Sequence, residues 1–188
     1  MTGFNGELPD IPHLVLGGAR SGKSHYAEQL LQRFPPPYVY LATAQALDKE
    51  MRRRIEEHQR RRGPQWRTVE APLDLVGQLE GLQGRGLAVL VDCLTLWLTN
   101  LLLQSPDFST QPATQVDRLC EVLRGADYPV VLVSNEVGGG IVPENALARA
   151  FRDLAGRTNQ QVAAACAAVT LVVAGLPLVL KGKGPRGA

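Results

Sequence analysis

Short aliphatic runs alternate with longer polar stretches along most of this 188-residue chain. The runs are nearly continuous in Val, Leu and Ala, which is typical of parallel strands buried on both faces. They predict strands at residues 14–16, 38–43, 65–70, 87–92, 129–134, 169–174 and 177–180. Strands and helices that alternate in this way predict an α/β fold with a mostly parallel sheet covered by helices on both faces.

The stretches between the strands carry apolar residues at helical spacing or good helix formers. They predict helices at residues 24–33, 48–62, 73–82, 94–103, 114–124 and 143–168, the last with a break near Gly156. Asp48 is a candidate N-cap of the second helix, and Gly63-Pro64 ends it. We expect residues 1–12 to be an N-terminal extension and residues 13–188 to form a single domain, because no linker or repeat interrupts the pattern.

A phosphate-binding loop lies between the first strand and the first helix. The stretch Gly17-x-x-x-x-Gly22-Lys23-Ser24 has the full spacing of this motif. Its glycines allow backbone N–H groups to approach phosphate oxygens, while Lys23 can reach the β- and γ-phosphates and Ser24 can bind Mg²⁺. The predicted binding residues are Gly17, Gly18, Ala19, Arg20, Ser21, Gly22, Lys23 and Ser24.

Several acidic and polar residues end predicted strands. In parallel sheets ligands bind beyond the carboxyl ends of the strands, so we expect the phosphate loop, Thr43, Glu70, Asp92 and Asn135-Glu136 to converge there. Asp92 is the candidate Mg²⁺ ligand of Walker-B type, although it also stands where a helix N-cap would. Glu70 and Glu136 are candidate acids or ribose contacts, or ordinary carboxylates at strand ends.

His58 lies in a helix rich in arginine. Met51, Ile55 and Arg62 share its face, so the imidazole could point inward, where a neutral ring can attack phosphorus and form a phosphoramidate. It could equally be a solvated surface residue. Lys49 to Arg62 holds seven basic and three acidic side chains, and no aromatic residue for base stacking, so nucleic-acid binding is not favoured.

Composition further narrows the classes of protein and of binding partner. The net charge is only +2, which gives no global attraction to nucleic acid or membrane. Three scattered cysteines without a C-x-x-C pair argue against a disulfide framework or a zinc site, and with no visible signal peptide we expect a cytoplasmic protein. Residues 162–180 carry no charge, but Gly175 and Pro177 interrupt them, so we predict a helix end and two strands instead of a membrane span.

Several motifs in one order resemble the bifunctional adenosylcobinamide kinase/adenosylcobinamide-phosphate guanylyltransferase family of cobalamin synthesis. The resemblance covers about Leu14 to Leu180. It rests on Gly17-Gly-Ala-Arg-Ser-Gly-Lys-Ser24, Tyr40-Leu-Ala-Thr43, Asp48-x-Glu-Met-x-x-Arg-Ile-x-x-His58, Trp66-Arg-Thr-Val-Glu70, Thr99-Asn-Leu-Leu102, Ser134-Asn-Glu-Val-Gly138, Ile141-Val-Pro-Glu-Asn145 and Phe151-Arg-Asp-x-Ala-Gly-Arg-x-Asn-Gln160.

The resemblance implies a RecA-like P-loop fold, a homotrimer and two reactions. A γ-phosphate passes from ATP or GTP to adenosylcobinamide, and GMP then passes from GTP to the new phosphate through a guanylylated histidine, for which His58 stands in the matching position. Mg²⁺ is the implied cofactor. Nucleotide contacts are implied for the phosphate loop and for Thr43, Ala44, Gln45, Gln59, Arg60, Arg61, Arg62, Glu70 and Asp92. A kinase without the second activity, or a RecA-like NTPase that couples hydrolysis to nucleic-acid or protein binding, are the alternatives.

Overall fold

The computed structural model describes residues 8–45, 62–104 and 111–183. Its strands are β1 His13–Gly17, β2 Tyr38–Ala42, β3 Trp66–Glu70, β4 Ala88–Asp92, β5 Val130–Asn135, β6 Ala168–Val173 and β7 Leu176–Lys181. Its helices are α1 Lys23–Leu31, α2 Leu75–Glu80, α3 Leu94–Gln104, α4 Gln111–Arg124 and α5 Ala146–Ala165.

The strands form one seven-stranded sheet in the order β3-β2-β4-β5-β1-β6-β7. β1 to β6 are parallel, and β7 returns antiparallel to β6. The carboxyl ends of β1–β6 therefore lie along one edge of the sheet, here called the carboxyl rim. β1 occupies a central position because it pairs with β5 on one side and β6 on the other.

Two apolar layers cover the sheet, one on each face. Because side chains alternate across a strand, Leu14 and Leu16 belong to one layer and Val15 to the other. The first layer packs against α2, α3, α4 and α5 around the fully buried Trp97. The second packs against α1 through Leu30 and its neighbours. This arrangement confirms the predicted α/β sheet covered on both faces.

The predicted break in the last helix is wrong. α5 runs without interruption through Gly156 from Ala146 to Ala165, shorter than predicted at both ends. A helical glycine costs about 1 kcal/mol relative to alanine. Ala155, which precedes it, and Thr158, two residues after it, are both fully buried, and their packing outweighs that cost.

The uncharged stretch 162–180 has the predicted organisation. α5 ends at Ala165, and β6 and β7 follow as a hairpin. No helix within residues 8–45, 62–104 and 111–183 combines the length and the apolar character needed to cross a membrane. Helix α4 begins at Gln111, three residues earlier than predicted, so residues 111–113 are helical and do not belong to the predicted loop.

Candidate nucleotide-binding site

The phosphate loop connects the end of β1 to the first turn of α1. Lys23 is 9% exposed, and its Nζ donates a hydrogen bond to the Gly18 carbonyl at 3.0 Å. The Ser21 amide donates to the same carbonyl at 3.3 Å. Burial lowers the pKa of Lys23, and the neighbouring Cys93 and Asp92 oppose that shift. The lysine thus lies against the backbone of its own loop, and Asp92 is close enough to influence its pKa.

Two glycines of the loop are required by close approach. An added Cβ on Gly17 would come within 2.6 Å of the Val172 carbonyl oxygen of β6 and would also collide with Ser21. Gly22, the N-cap of α1, has φ 93°, and its added Cβ would lie 3.3 Å from Cα of Gly175. The other predicted loop residues leave the top of the loop accessible: Gly18, Ala19 and Arg20 are exposed and Ser24 is half-buried.

The turn of the β6–β7 hairpin supports the phosphate loop from the side. The Gly175 amide donates a hydrogen bond to the Ser21 carbonyl at 2.8 Å. Ala174 and Gly175 both have positive φ, at 51° and 82°, as a tight hairpin turn requires. Sequence reasoning missed this contact, because nothing local in residues 168–181 indicates what the turn touches.

Asp92 lies on the carboxyl rim, as predicted. It ends β4 and is paired with Ala42 of β2 on one side and Val133 of β5 on the other. Its Oδ2 accepts a hydrogen bond from the Tyr40 hydroxyl at 3.2 Å. Burial, strengthened by the charge of Asp92, holds the pKa of Tyr40 well above its usual value, so the phenol stays neutral and donates.

Thr43 joins the ends of β2 and β4. It is fully buried, its hydroxyl donates to the Cys93 carbonyl at 2.7 Å, and it accepts from the Cys93 amide at 2.8 Å. Asn100 of α3 donates to the Thr43 carbonyl at 2.9 Å and ties the segment to the helix. The following Ala44 and Gln45 are half-buried and exposed, so they are the accessible part of this predicted segment.

Arg62 is buried against Tyr40, the residue that donates a hydrogen bond to Asp92. Its guanidinium carbon lies 3.3 Å from the centroid of the Tyr40 ring, and its Nε lies 3.7 Å from Glu28 Oε1 of α1. The side chain is 5% exposed. A series of contacts below the rim therefore links Glu28 to Arg62, Arg62 to Tyr40, and Tyr40 to Asp92. Tyr40 and Glu28 were not predicted as site residues, because their role depends on the contacts that each makes with Arg62.

A second series of polar contacts crosses the rim at the end of β5. Asn135, paired with Gly17 of β1, donates to Thr95 Oγ1 at 2.7 Å. Asn159 of α5 donates to the Asn135 carbonyl at 3.1 Å and accepts from Ser134 Oγ at 2.7 Å. Polar residues at the end of an apolar strand are the sequence signal for this network. Their partners on α3 and α5 could not be identified from it.

The two remaining candidate acids are solvent-exposed. Glu70 ends β3, an outer strand of the sheet, and is paired with Ala42. Glu136 follows β5, and its amide donates to the Gly17 carbonyl at 3.1 Å. Its carboxylate Oε1 accepts from the Gly138 amide at 2.7 Å and so faces its own loop. Both residues lie at the rim as predicted, and neither is given a role by its described contacts.

The candidate nucleophile lies outside the described residues. That nucleophile is His58, and the same holds for the Asp48 N-cap and for every residue of the basic run except Arg62, including Gln59, Arg60 and Arg61. A cleft of about 650 Å³ between α3, α4 and α5 shares no residue with the phosphate loop. The site described here is therefore the phosphate loop, Asp92 and the polar residues of the rim.

The residues present fit a magnesium ion bound with a nucleotide. Mg²⁺ typically takes one or two protein oxygens and completes its shell with water and phosphate. Asp92 is a half-buried carboxylate at the rim, and the Ser24 hydroxyl stands directly after Lys23. Among residues 8–45, 62–104 and 111–183, no group of three or more His, Cys, Asp or Glu forms a metal cluster. The donor set suits a metal shared with substrate phosphates and not a closed protein site.

Comparison with solved structures shows the fold. The assembled ATPase EscN of the enteropathogenic E. coli type III secretion system superposes with a TM-score of 0.56 at 10% identity, covering 89% of this chain and 43% of that one. The Pyrococcus horikoshii protein PH0250 gives a TM-score of 0.52 at 8% identity, covering 92% and 86%. The chain therefore has the RecA-like α/β fold of P-loop ATPases.

Comparison with characterised sequences shows the family. A bifunctional adenosylcobalamin biosynthesis protein, CobP of Pseudomonas aeruginosa, is 49% identical over 170 residues, which cover 90% of this chain and 97% of CobP. CobU of Escherichia coli, described in the same words, is 44% identical over 179 residues, 89% of this chain and 98% of CobU. The family model for cobinamide kinase/cobinamide phosphate guanyltransferase matches residues 13–180. The chain belongs to this family.

Proposed function

We propose that the protein phosphorylates adenosylcobinamide with ATP or GTP and then transfers GMP from GTP to the product. The observation that carries this proposal is a phosphate loop with a buried Lys23, and Asp92 on the same rim, in a chain that matches the bifunctional family over residues 13–180. A triphosphate held in one such cradle can be attacked at either the γ- or the α-phosphorus. One site therefore suffices for both steps.

In the first step the hydroxyl oxygen of adenosylcobinamide attacks the γ-phosphorus. The bond from this phosphorus to the bridging oxygen breaks, the nucleoside diphosphate leaves, and the hydroxyl loses its proton. In the second step an imidazole nitrogen of His58 attacks the α-phosphorus of GTP and pyrophosphate leaves. A phosphate oxygen of the phosphorylated corrinoid then displaces the histidine and gives adenosylcobinamide-GDP.

The described residues have distinct roles in this scheme. The loop residues Gly17, Gly18, Ala19, Arg20, Ser21 and Gly22 surround the phosphates and offer them the backbone N–H groups that are not bonded within the loop, as that of Ser21 is bonded to Gly18. Lys23 neutralises the departing charge in both steps, and Ser24 and Asp92 would hold Mg²⁺. The ion supplies further neutralisation of the polyphosphate.

The remaining proposed nucleotide contacts come from two segments. Thr43 sets the position of Ala44 and Gln45 through its bonds to Cys93, and Glu70 ends the neighbouring strand. Gln59, Arg60, Arg61 and Arg62 complete the set. Because Arg62 is buried against Tyr40 and Glu28, its proposed role is to anchor the end of the basic segment near Asp92.

We further propose a cytoplasmic homotrimer in which residues 13–188 form one domain and residues 1–12 an extension. The three cysteines are buried and free, which suits a reducing compartment. The family resemblance supports the trimer, and the matched range 13–180 supports the domain boundary.

Covalent labelling tests the proposed function. The protein is incubated with Mg²⁺ and α-labelled GTP, and its intact mass is measured. We expect an acid-labile gain of one GMP that is lost in His58→Ala. His25→Ala is the matched control, because His25 is exposed in the first turn of α1. His13 is buried and 1% exposed, so it cannot serve as the nucleophile.

Three other results would contradict the proposal. Label retained in His58→Ala but lost in His25→Ala would move the nucleophile to α1. No adduct, with corrinoid phosphorylation intact, would indicate a kinase only. Neither activity, with hydrolysis stimulated by DNA or RNA, would indicate a RecA-like NTPase of another class.

A further inference from the structure

The loop at residues 136–145 begins beside the phosphate loop and is hydrogen-bonded to it. Its first residue, Glu136, donates its amide to the Gly17 carbonyl at 3.1 Å, and the preceding Asn135 is paired with Gly17 in the sheet. The last residue of the loop, Asn145, caps α5 by accepting from the Ala148 amide at 3.1 Å. The loop thus connects the wall of the nucleotide site to the start of a helix.

This loop exposes aliphatic side chains to solvent. Ile141 is 97% exposed and Val142 is 64% exposed, with Val137 and Leu147 partly exposed beside them. An added Cβ on Gly139 or Gly140 would meet no atom within 4 Å. The backbone amides and carbonyls on this side are therefore open to a ligand. A side chain as exposed as Ile141 contributes almost nothing to folding.

The loop is nevertheless held in place by hydrogen bonds from side chains of α5. Arg152 of α5 donates to the Gly138 carbonyl at 2.7 Å, and Glu136 accepts from the Gly138 amide. Arg149 donates to the Pro143 carbonyl at 2.9 Å and also to the Glu144 carbonyl. Two arginines thus fix both ends of an apolar, glycine-rich surface. Such preorganisation lowers the entropy cost of binding a ligand.

Resting on the proposed function, we propose that the loop at residues 136–145 is the platform for the corrinoid ring. The acceptor is a large macrocycle with apolar, methyl-bearing edges and amide side chains, and its hydroxyl must reach the γ-phosphate above Lys23. Ile141 and Val142 would pack against the apolar edge. The open backbone at Gly139 and Gly140 would bond the amides.

The other apolar surface near the phosphate loop suits this role less well. β7 exposes Leu176, Leu178 and Leu180, but it runs antiparallel to β6. Only Leu176, paired with Val173, lies near the rim, and the strand then recedes toward the opposite edge of the sheet. A ligand seated along β7 would therefore carry its hydroxyl away from the phosphates.

Steady-state kinetics with adenosylcobinamide and ATP test the proposal. In the double variant Ile141→Asn/Val142→Asn we expect the KM for adenosylcobinamide to rise by about tenfold to a hundredfold, as for losing the burial of one large aliphatic side chain. The KM for ATP and the rate of guanylylation by GTP alone should stay within about twofold, since neither requires the corrinoid. Leu178→Asn, at a comparably exposed aliphatic residue of β7, is the matched control and should leave all three unchanged.

The outcomes separate this proposal from the proposed function. A wild-type protein that guanylylates itself but does not phosphorylate adenosylcobinamide would refute the proposed function. An unchanged KM for the corrinoid in the double variant would refute the platform alone, as would an equal rise in Leu178→Asn. A change in oligomeric state in the double variant would show instead that the loop binds a second copy of the chain. Ile141→Asn alone provides the same test should the double variant lose thermal stability.

Discussion

Acidification is expected to destabilise the protein through His13, the first residue of β1. The ring is 1% exposed, and its Nε2 lies 2.8 Å from Thr170 Oγ1 of β6. Burial lowers the pKa of His13 from 6.5 to about 4, and Asp10 opposes this shift only in part. The folded protein therefore keeps this ring neutral at a pH where the unfolded chain binds a proton.

The sign and size of this destabilisation follow from the linkage between proton binding and folding. Because the folded pKa lies below the unfolded one, the stability is complete above about pH 6.5 and is lost as pH falls toward 4. Between pH 7 and pH 5 a shift of this size removes about 2 kcal/mol from the free energy of unfolding. That is a large part of the total for a typical domain, about 5–15 kcal/mol.

Urea unfolding at pH 7 and pH 5 measures this effect. Other groups also titrate in this range, so wild type is compared with His13→Gln, whose amide can still bond Thr170 but does not titrate. We expect wild type to lose about 2 kcal/mol more than the variant on going to pH 5. Losses that agree within about 0.5 kcal/mol would refute the reasoning, since independent effects add within that margin.

Three substitutions, with Gly84→Ala as a control, test the phosphate loop and its support. Gly18→Ala should leave the melting temperature unchanged, since an added Cβ meets no atom within 4 Å. It should weaken GTP binding by about tenfold or more, because the methyl group fills the space proposed for phosphate. Unaltered GTP binding in a titration would contradict this. Gly175→Ala and its control Gly84→Ala change glycines with φ 82° and 70° and open space around both, so each should lower the free energy of unfolding by about 1 kcal/mol. Only Gly175→Ala should weaken nucleotide binding, because Gly175 is bonded to Ser21. Equal binding in the two variants would argue against that support. Lys23→Ala should abolish both half-reactions, and guanylylation at the normal rate in this variant would require a second nucleotide site.

The sequence allowed the strands and the phosphate loop to be predicted because their signals are local. An aliphatic run that ends in Asp92 or Asn135 indicates a buried strand and its functional end without knowledge of any partner. The central place of β1 could not be predicted in the same way. Its neighbours β5 and β6 lie more than a hundred residues later in the chain, and their order in the sheet depends on packing.

The contacts between side chains were the part of the site that the sequence predicted least well. Thr43 was predicted as a nucleotide contact, and its hydroxyl is bonded on both sides to the backbone of Cys93. Arg62 was predicted among phosphate-binding arginines, and it stacks on Tyr40. Both outcomes depend on the register between β2 and β4 and on the approach of α1. Whether either residue also contacts nucleotide stays a prediction.

The bond between Gly175 and Ser21 has a consequence for biosynthesis. The phosphate loop leaves the ribosome well before the turn that supports it, because Gly175 follows Ser21 by 175 − 21 = 154 residues. A nascent chain arrested before residue 168 would lack one strand that flanks β1 and the turn that contacts Ser21. Nucleotide binding should therefore be acquired only after this turn has been synthesised, and GTP should protect from proteolysis only chains that include Gly175.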